Sequence, residues 1–258
     1  MANKKNNDFQ TLETRQGGYT AYRQRLGRSP TIVFLSGYKS YMGGTKADFL
    51  DSYCAQQGYA YLRFDYYGHG RSSGEFVDGT IGRWYEDALE VVTKLTDDKV
   101  VLVGSSMGGW IMSLLARAIP ERIAGMVGIA SAPDFTERLM WPRFTKQQRA
   151  KLESGDILFV PSAYDDQPYP VTMRFIEEAR EHLVLDGQIE LDCPVHLLHG
   201  MNDSDVPWET SVALANALLT DKVTVSLFKA SEHRLSSDAE LEKIAQAVKD
   251  ILNGIDGK

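Results

Sequence analysis

The sequence predicts an α/β fold in which a mainly parallel sheet is covered by helices on both faces. Short apolar runs alternate along the chain with longer segments of helical period, which is the pattern of βαβ units. The apolar runs are rich in Val, Ile, Leu and aromatic residues, as expected for strands that are buried on both faces. The length of 258 residues suits one domain, or one domain with a sizeable insertion.

The elements of this fold can be assigned in chain order from their apolar patterns. The predicted strands are residues 31–35, 60–64, 100–103, 123–129, 195–198 and 223–228. The predicted helices are residues 45–57, 81–96, 107–118, 208–219 and 238–252. Residues 19–25 alternate aromatic and polar side chains after a pair of glycines, which predicts an antiparallel hairpin at one edge of the sheet.

One stretch interrupts this alternation. About 60 residues separate the strand that ends near residue 130 from the strand that begins near residue 195, and helical patches occur within them at 145–152 and 171–184. A structureless loop of this length is uncommon in a compact domain. We therefore predict a cap insertion at residues 134–192, an α/β core formed by residues 9–133 and 193–255, and a flexible tail at residues 1–8.

The composition argues against several classes of function. The formal net charge of −7 disfavours nucleic acid or an anionic membrane as the main partner, because neither attracts an acidic surface. Two cysteines are too few for a disulfide framework or a metal cluster. The first residues carry no secretory or transit pattern, and no stretch has the length of a membrane span. We expect a cytoplasmic protein without an integral membrane segment.

A G-x-S-x-G pattern occurs twice, centred on Ser106 and on Ser72. In a nucleophile elbow, a strand runs directly into a sharp turn and then a helix, which exposes the serine hydroxyl above the sheet. Ser106 has this context, whereas Ser72 lies in a glycine-rich stretch with no helical run until Ile81. We therefore predict the α/β-hydrolase fold with Ser106 as its nucleophile. A structural elbow without chemistry is the alternative.

The general base is expected on a loop after the last strand, since the chain order in this fold is Ser, acid, His. His233 follows the strand at 223–228 and precedes the final helix, which is the required place. The other histidines lie inside a strand, on a cap helix, in the glycine-rich loop, or at a strand end where packing or hydrogen bonding is expected. They are His196, His182, His69 and His199 respectively.

The acid of the triad orients the imidazole and stabilises its charged form. Asp203 follows the strand at 195–198 closely and is our choice. Asp205 is interpreted as a helix-capping or surface acid. Asp134 remains the alternative, because a loop after the strand at 123–129 can also reach the histidine.

The oxyanion of an acyl-transfer intermediate needs two preorganised backbone N–H donors. We predict that Met107, directly after the nucleophile, donates one. The second is expected from Tyr38, in the loop after the strand at 31–35, where Gly37 permits a tight turn. The alternative for that loop is a plain connection between strand and helix.

Short motifs spread along the chain resemble one family of hydrolases. They are Ser36-Gly37-Tyr38-Lys39-Ser40 with Gly44-Thr45-Lys46-Ala47, Arg63-Phe64-Asp65-Tyr66 with Gly68-His69-Gly70, Gly82-Arg83-Trp84, Gly104-Ser105-Ser106-Met107-Gly108-Gly109-Trp110, Phe175-Ile176-Glu177-Glu178-Ala179-Arg180, Leu198-His199-Gly200-Met201, Asp205-Val206-Pro207-Trp208 and His233-Arg234-Leu235-Ser236. They are similar to the abhydrolase branch that contains the mitochondrial palmitoyl-protein thioesterase, also described as an acyl-glucuronide esterase. The resemblance covers nearly the whole chain from about Gly17. Residue by residue, it implies a triad of Ser106, Asp203 and His233.

The sequence thus predicts a serine hydrolase that cleaves a carboxylic ester or thioester, in a small molecule or an acyl-protein, through an acyl-enzyme. No metal or organic cofactor is implied, and the oligomeric state is not predicted. Two alternatives stay open. One is another reaction of the same triad, such as lactone, amide or carbon–carbon bond hydrolysis. The other is a non-catalytic, ligand-binding member of the fold.

Aromatic residues of the cap are candidates for a substrate pocket above Ser106. They are Trp141, Phe144, Phe159 and Tyr164. Apolar and aromatic side chains usually predominate in ligand pockets, so these would receive an acyl chain. The alternative is that they form a small core of the cap itself.

Overall fold

A computed structural model describes residues 9–161 and 168–256. The strands are β1 (Gln10–Glu13), β2 (Tyr19–Arg25), β3 (Arg28–Leu35), β4 (Tyr59–Phe64), β5 (Val100–Ser105), β6 (Ile123–Ile129), β7 (Leu158–Val160), β8 (Tyr169–Val171), β9 (Ile189–Glu190), β10 (Val195–Gly200), β11 (Leu218–Leu219) and β12 (Val223–Phe228). The α-helices are α1 (Thr45–Gln57), α2 (Ile81–Leu95), α3 (Met107–Ala118), α4 (Trp141–Arg143), α5 (Lys146–Glu153), α6 (Met173–Ala179), α7 (Glu209–Ala217) and α8 (Asp238–Asp256). Single turns of 3₁₀ helix lie at Phe76–Asp78, Pro120–Arg122 and Arg180–His182, and a π-helical turn at Thr136–Met140.

Eight strands form the central sheet in the order β1-β2-β4-β3-β5-β6-β10-β12. From β4 to β12 all neighbours are parallel, while β2 runs antiparallel to both β1 and β4. The prediction of a mainly parallel sheet flanked by helices is confirmed, and so is the antiparallel hairpin at its edge. Parallel strands need crossover connections, and the helices between them supply these.

Two apolar layers hold the helices against the sheet. On one face, α1 and α8 pack through residues such as Leu50 and Val248 against Ile32 and Val101. On the other face, α2 and α3 contribute large side chains, among them Trp84 and Trp110, which are at most 1% exposed. Because β3, β5, β10 and β12 run in the same direction, their carboxyl ends lie along one edge of the sheet. The loops that follow these strands meet above that edge.

Several predicted boundaries move at this edge. β5 and β10 each extend two residues beyond the predicted strand, through Ser105 and Gly200. Both extensions are paired with neighbouring strands, but their small or polar residues do not carry the apolar signal that marks a strand. The helix predicted at 208–219 ends at Ala217, because Leu218–Leu219 pairs with β9.

The described residues of 134–192, for which we predict a cap, form short helices, the antiparallel strand pair β7–β8 and the short strand β9. The helix predicted at 171–184 is shorter than expected, because Val171 pairs with Leu158 and Thr172 accepts a hydrogen bond from the Phe175 N–H to begin α6. The tail predicted at residues 1–8 lies outside the described residues. No helix in the described ranges is both long enough and apolar enough to span a membrane.

Candidate active site

Ser106 occupies a strained turn between β5 and α3. Its backbone angles are φ 55° and ψ −119°, a region that residues other than glycine rarely adopt. The chain crosses itself closely here: a Cβ on Gly104 would lie 2.5 Å from the Gly108 carbonyl oxygen, and one on Gly108 would lie 2.0 Å from that of Leu35. Both glycines are therefore required by the turn. The Ser106 N–H donates to the Ile129 carbonyl at 2.9 Å, which ties the turn to β6.

Three side chains from three separate loops form a continuous relay. His233 Nε2 lies 3.0 Å from Ser106 Oγ, and His233 Nδ1 lies 2.7 Å from Asp203 Oδ2. The Asp203 side chain is fully buried, whereas the His233 side chain is 14% exposed. The structure therefore brings the predicted nucleophile, base and acid together in the expected order.

Both oxygens of Asp203 are fixed by N–H donors. Oδ1 accepts from the backbone N–H groups of Asp205 and Val206 at 2.9 Å each, and Oδ2 faces His233 and His199. Burial acts to raise the pKa of Asp203, but the hydrogen bonds from His199 and His233 outweigh it and hold the pKa well below its usual value. The carboxylate is therefore ionised at neutral pH and held in one orientation.

The alternative acid, Asp134, lies elsewhere. Its side chain is buried and accepts the backbone N–H groups of Val184 and Leu185 at 2.9 Å each, with Arg138 at 3.6 Å. These contacts join the end of β6 to the chain returning from α6. Asp134 thus ties the first residue of the proposed cap to residues near its end, and it is Asp203 that contacts His233.

The loop after β3 passes directly beside Ser106. A Cβ on Gly37 would lie 3.4 Å from Ser106 Cβ and 4.0 Å from Ser106 Oγ, so the backbone that leads into Tyr38 runs next to this side chain. Within the described residues, neither the Tyr38 N–H nor the Met107 N–H donates to a protein acceptor. Neither N–H group is therefore committed to a partner in that part of the chain, and their role as oxyanion donors stays a prediction.

His69 supports this loop, a role that sequence reasoning missed. Burial lowers the pKa of His69 to about 4, so the ring is neutral at neutral pH. The ring contacts the Tyr67 carbonyl through Nδ1 at 3.0 Å, which makes Nδ1 the donor and leaves Nε2 free to accept the Lys39 N–H at 3.2 Å. Lys39 itself has φ 54°. The Gly68-His69-Gly70 motif indicates a constrained loop, but it does not indicate that this loop contacts the loop after β3.

Ser72, at the centre of the second G-x-S-x-G pattern, is structural. Its Oγ accepts the Ala21 N–H at 2.8 Å and donates to the Asp65 carbonyl. These bonds attach the glycine-rich loop to β2. The prediction of a loop rather than a second elbow is confirmed.

A cavity of about 520 Å³ opens above Ser106 and His233. Its apolar lining includes Phe34, Tyr38, Ala132, Phe135, Leu139, Met140, Phe144, Val160, Pro161 and Tyr169. Among the described residues, its charged lining comprises Lys39, Lys46, Arg143, Asp205 and Arg234. The volume lies within the range of small-molecule sites.

Two of the four predicted pocket residues, Trp141 and Phe159, do not line this cavity in the described structure. Phe144 lines the cavity. Trp141 instead packs edge-on against the Phe144 ring, and the guanidinium groups of Arg149 and Arg180 lie over the Trp141 ring. Phe159 is 58% exposed, whereas its neighbour Val160 lines the cavity, because successive strand residues point to opposite sides. Tyr164 lies outside the described residues.

Several apolar lining residues that sequence reasoning missed lie between β6 and α4. Leu139 and Met140 belong to the π-helical turn, and Phe135 directly precedes it. A single π turn has no distinct apolar period, so the sequence carried no signal for which side chains face the cavity.

Comparison with known proteins places the chain among hydrolases. Residues 28–156 match the family described as serine aminopeptidase, S33. The mitochondrial palmitoyl-protein thioesterase ABHD10 from Homo sapiens is 38% identical over 234 residues, which cover 90% of this chain and 76% of that protein.

Two solved structures are similar over nearly the whole length. A hydrolase from Agrobacterium vitis S4 has a TM-score of 0.91 at 38% identity, covering 94% of this chain and 98% of the other. Mouse ABHD10 has a TM-score of 0.88 at 33% identity, covering 96% of this chain and 99% of the other. The similarity therefore includes both the sheet and the segment above it.

Proposed function

The chain belongs to the α/β-hydrolases, in the branch that contains ABHD10, and from this we propose that it cleaves carboxylic esters or thioesters by a serine acyl-enzyme mechanism. That the chain is a hydrolase follows from its family. The bond class and the serine mechanism are the proposal. The observation that carries it is the relay from Ser106 Oγ through His233 to Asp203, with contacts of 3.0 and 2.7 Å.

In the first half of the reaction, Ser106 Oγ attacks the carbonyl carbon of the substrate, and its proton passes to His233 Nε2. Asp203 stabilises the imidazolium through the Nδ1–H bond. The carbonyl oxygen, now negative, accepts hydrogen bonds from the Tyr38 and Met107 N–H groups. His233 then donates its proton to the leaving alcohol or thiol, the bond to the leaving group breaks, and the acyl group remains on Ser106.

In the second half, a water molecule takes the place of the leaving group. His233 accepts a proton from the water as the oxygen attacks the acyl carbon, and it returns that proton to Ser106 Oγ as the acyl–serine bond breaks. The carboxylic acid leaves, and the enzyme regains its starting protonation state. The fixed orientation of Asp203 serves both halves, since the same imidazole tautomer is needed each time.

The apolar part of the cavity supports an uncharged acyl chain as the group held beside Ser106. The name of the ABHD10 relatives refers to palmitoyl-protein thioesters, and this supports an acyl ester or thioester here. A small acyl substrate or an acyl-protein would fit this chemistry. The cytoplasmic location expected from the sequence stays a prediction, while the ABHD10 relatives are named as mitochondrial.

The proposal is tested by assaying the wild type, Ser106→Ala and His233→Ala against a neutral acyl ester and the matching thioester. Members of a triad act as a unit, so each substitution is expected to lower kcat on the order of 10⁴–10⁶-fold. Circular dichroism confirms that each variant is folded. Ser72→Ala, in the second pattern, is expected to keep kcat within a few-fold. An active Ser106→Ala, or an inactive but folded Ser72→Ala, would reject the serine assignment.

A further inference from the structure

His199 is a second histidine on the carboxylate of Asp203, and it is fully buried. Its Nε2 lies 3.2 Å from Asp203 Oδ2 and 3.0 Å from the Val206 carbonyl oxygen. Its Nδ1 lies 2.7 Å from Ser211 Oγ. Both ring nitrogens are therefore engaged.

These partners assign the tautomer of His199. A carboxylate and a carbonyl oxygen are both acceptors only, so Nε2 must carry the proton and donate between them. In a neutral imidazole, Nδ1 is then an acceptor, and the Ser211 hydroxyl supplies the matching donor. The opposite tautomer would set the Nε2 lone pair against two oxygens in a buried site, which is unfavourable.

The Nε2–H group of His199 bridges two hydrogen-bond acceptors, Asp203 Oδ2 and the Val206 carbonyl oxygen. Without it, Asp203 Oδ2 and the Val206 carbonyl would face one another with no donor between them. The other oxygen, Oδ1, is held by the N–H groups of Asp205 and Val206. With His199 in place, three N–H groups fix the plane of the carboxylate, and His233 supplies the fourth at Oδ2.

We propose that His199 is a positioning residue for the triad. Its Nε2–H fixes the carboxylate of Asp203, which in turn orients His233 so that Nε2 lies within hydrogen-bonding distance of Ser106 Oγ. This inference rests on the proposed function. The hydrogen bond from His199 to Asp203 also helps to hold that carboxyl ionised, in agreement with the geometry. His199 contacts the carboxylate of Asp203, which in turn contacts His233.

The competing interpretation is that His199 only fills space in the core below the acid loop. Two substitutions separate the interpretations. His199→Phe keeps a planar ring of similar size and removes both hydrogen bonds. His199→Gln places an amide N–H near the position of Nε2–H and retains the donor. If His199 only fills space, the His199→Phe variant should keep its activity. If His199 positions Asp203, the His199→Gln variant should keep its activity and the His199→Phe variant should lose it.

For folded His199→Phe, we expect kcat on a neutral acyl ester to fall about tenfold to a hundredfold, with KM within about twofold, since a small misplacement of reacting groups has effects of this size. The acid limb of the kcat/KM profile should also move to higher pH. A carboxylate that has lost a donor holds the proton on His233 more strongly. His199→Gln should stay within about fivefold of the wild type, with an unchanged acid limb.

Wild-type kcat and an unmoved acid limb in His199→Phe would overturn the inference, and so would equal losses in Phe and Gln. If His199→Phe does not fold, ¹⁵N NMR of the wild type decides: a proton on Nε2 supports the role, and a proton on Nδ1 overturns it. Failure of the proposed function is distinguishable, because then the wild type itself would be inactive or Ser106→Ala would be active.

Discussion

Ser106, Asp203 and His233 are far apart in the chain, yet each lies in a loop that begins at the carboxyl end of a parallel strand. β5, β10 and β12 deliver them to one edge of the sheet. The position of each residue along its strand therefore determines whether the relay forms. This is why a triad can be recognised from the order of motifs before any contact is known.

The acid of the relay, Asp203, can be tested separately from Asp134, which links the two ends of the proposed cap. Asp203→Asn removes the charge that stabilises the imidazolium and favours the wrong tautomer, so we expect a loss of about 10⁴-fold in kcat. Asp134→Asn should leave kcat within a few-fold. It should instead lower the free energy of unfolding by about 1–3 kcal/mol, because two buried N–H groups lose a charged acceptor.

The measurements are steady-state kinetics and urea unfolding on both variants. A large kinetic loss confined to Asp134→Asn would transfer the role of the acid to the loop after β6 and would contradict the contacts of Asp203.

At the scale of elements, sequence reasoning succeeded where a signal is local and failed where it depends on a distant partner. The elbow at Ser106 has its strand, its glycines and its helix within a few residues. The support given by His69 to Lys39, and by His199 to Asp203, depends on how separate loops meet. Some residues that line the cavity were missed for a related reason. Within β7, the side chain of Val160 faces the cavity and that of Phe159 faces away from it, and a strand of three residues is too short for its sequence to show which side chain faces the cavity.

Helix α2 carries a buried carboxylate whose ionisation should affect stability. Asp87 accepts the Tyr67 N–H at 2.8 Å and pairs with Arg83 at 3.3 Å. Burial raises the pKa of Asp87 to about 6, despite these contacts. The folded pKa is thus above the unfolded value of about 3.9. The folded state binds the proton more tightly, so stability is lost as pH rises from about 4 through about 6.

An Asp87→Asn variant should remove this dependence. We expect the free energy of unfolding of Asp87→Asn, relative to the wild type, to increase by about 2–3 kcal/mol between pH 4 and pH 7. Urea unfolding at both pH values measures it. Asp97→Asn, which replaces an exposed carboxylate, corrects for the change in net charge. A difference that is the same at both pH values would contradict the burial effect.

For the molecule as a whole, the cavity above Ser106 should determine substrate preference. Each methylene that enters apolar surroundings contributes about 0.8 kcal/mol, or roughly fourfold in kcat/KM, until the space is filled. We therefore expect kcat/KM to climb with acyl length over several carbons. The assay is a homologous series of acyl esters with one leaving group, kept below micelle-forming concentrations.

Phe144→Ala tests the cavity, and Phe159→Ala is its matched control, because Phe144 lines the cavity while Phe159 on the same segment does not. The slope of the series should change in Phe144→Ala and stay the same in Phe159→Ala. A flat or falling series from acetyl upward in the wild type would reject an apolar acyl site and leave the bond class without a substrate.

The central claim is that Ser106 is a nucleophile activated by His233 and Asp203. The most direct measurement is the site and rate of labelling by a small fluorophosphonate, read by mass spectrometry of the digested protein. The account predicts a single adduct on Ser106, formed at least about 10³-fold more slowly in His233→Ala and absent in Ser106→Ala. An adduct on another residue, or equal labelling rates with and without His233, would contradict it.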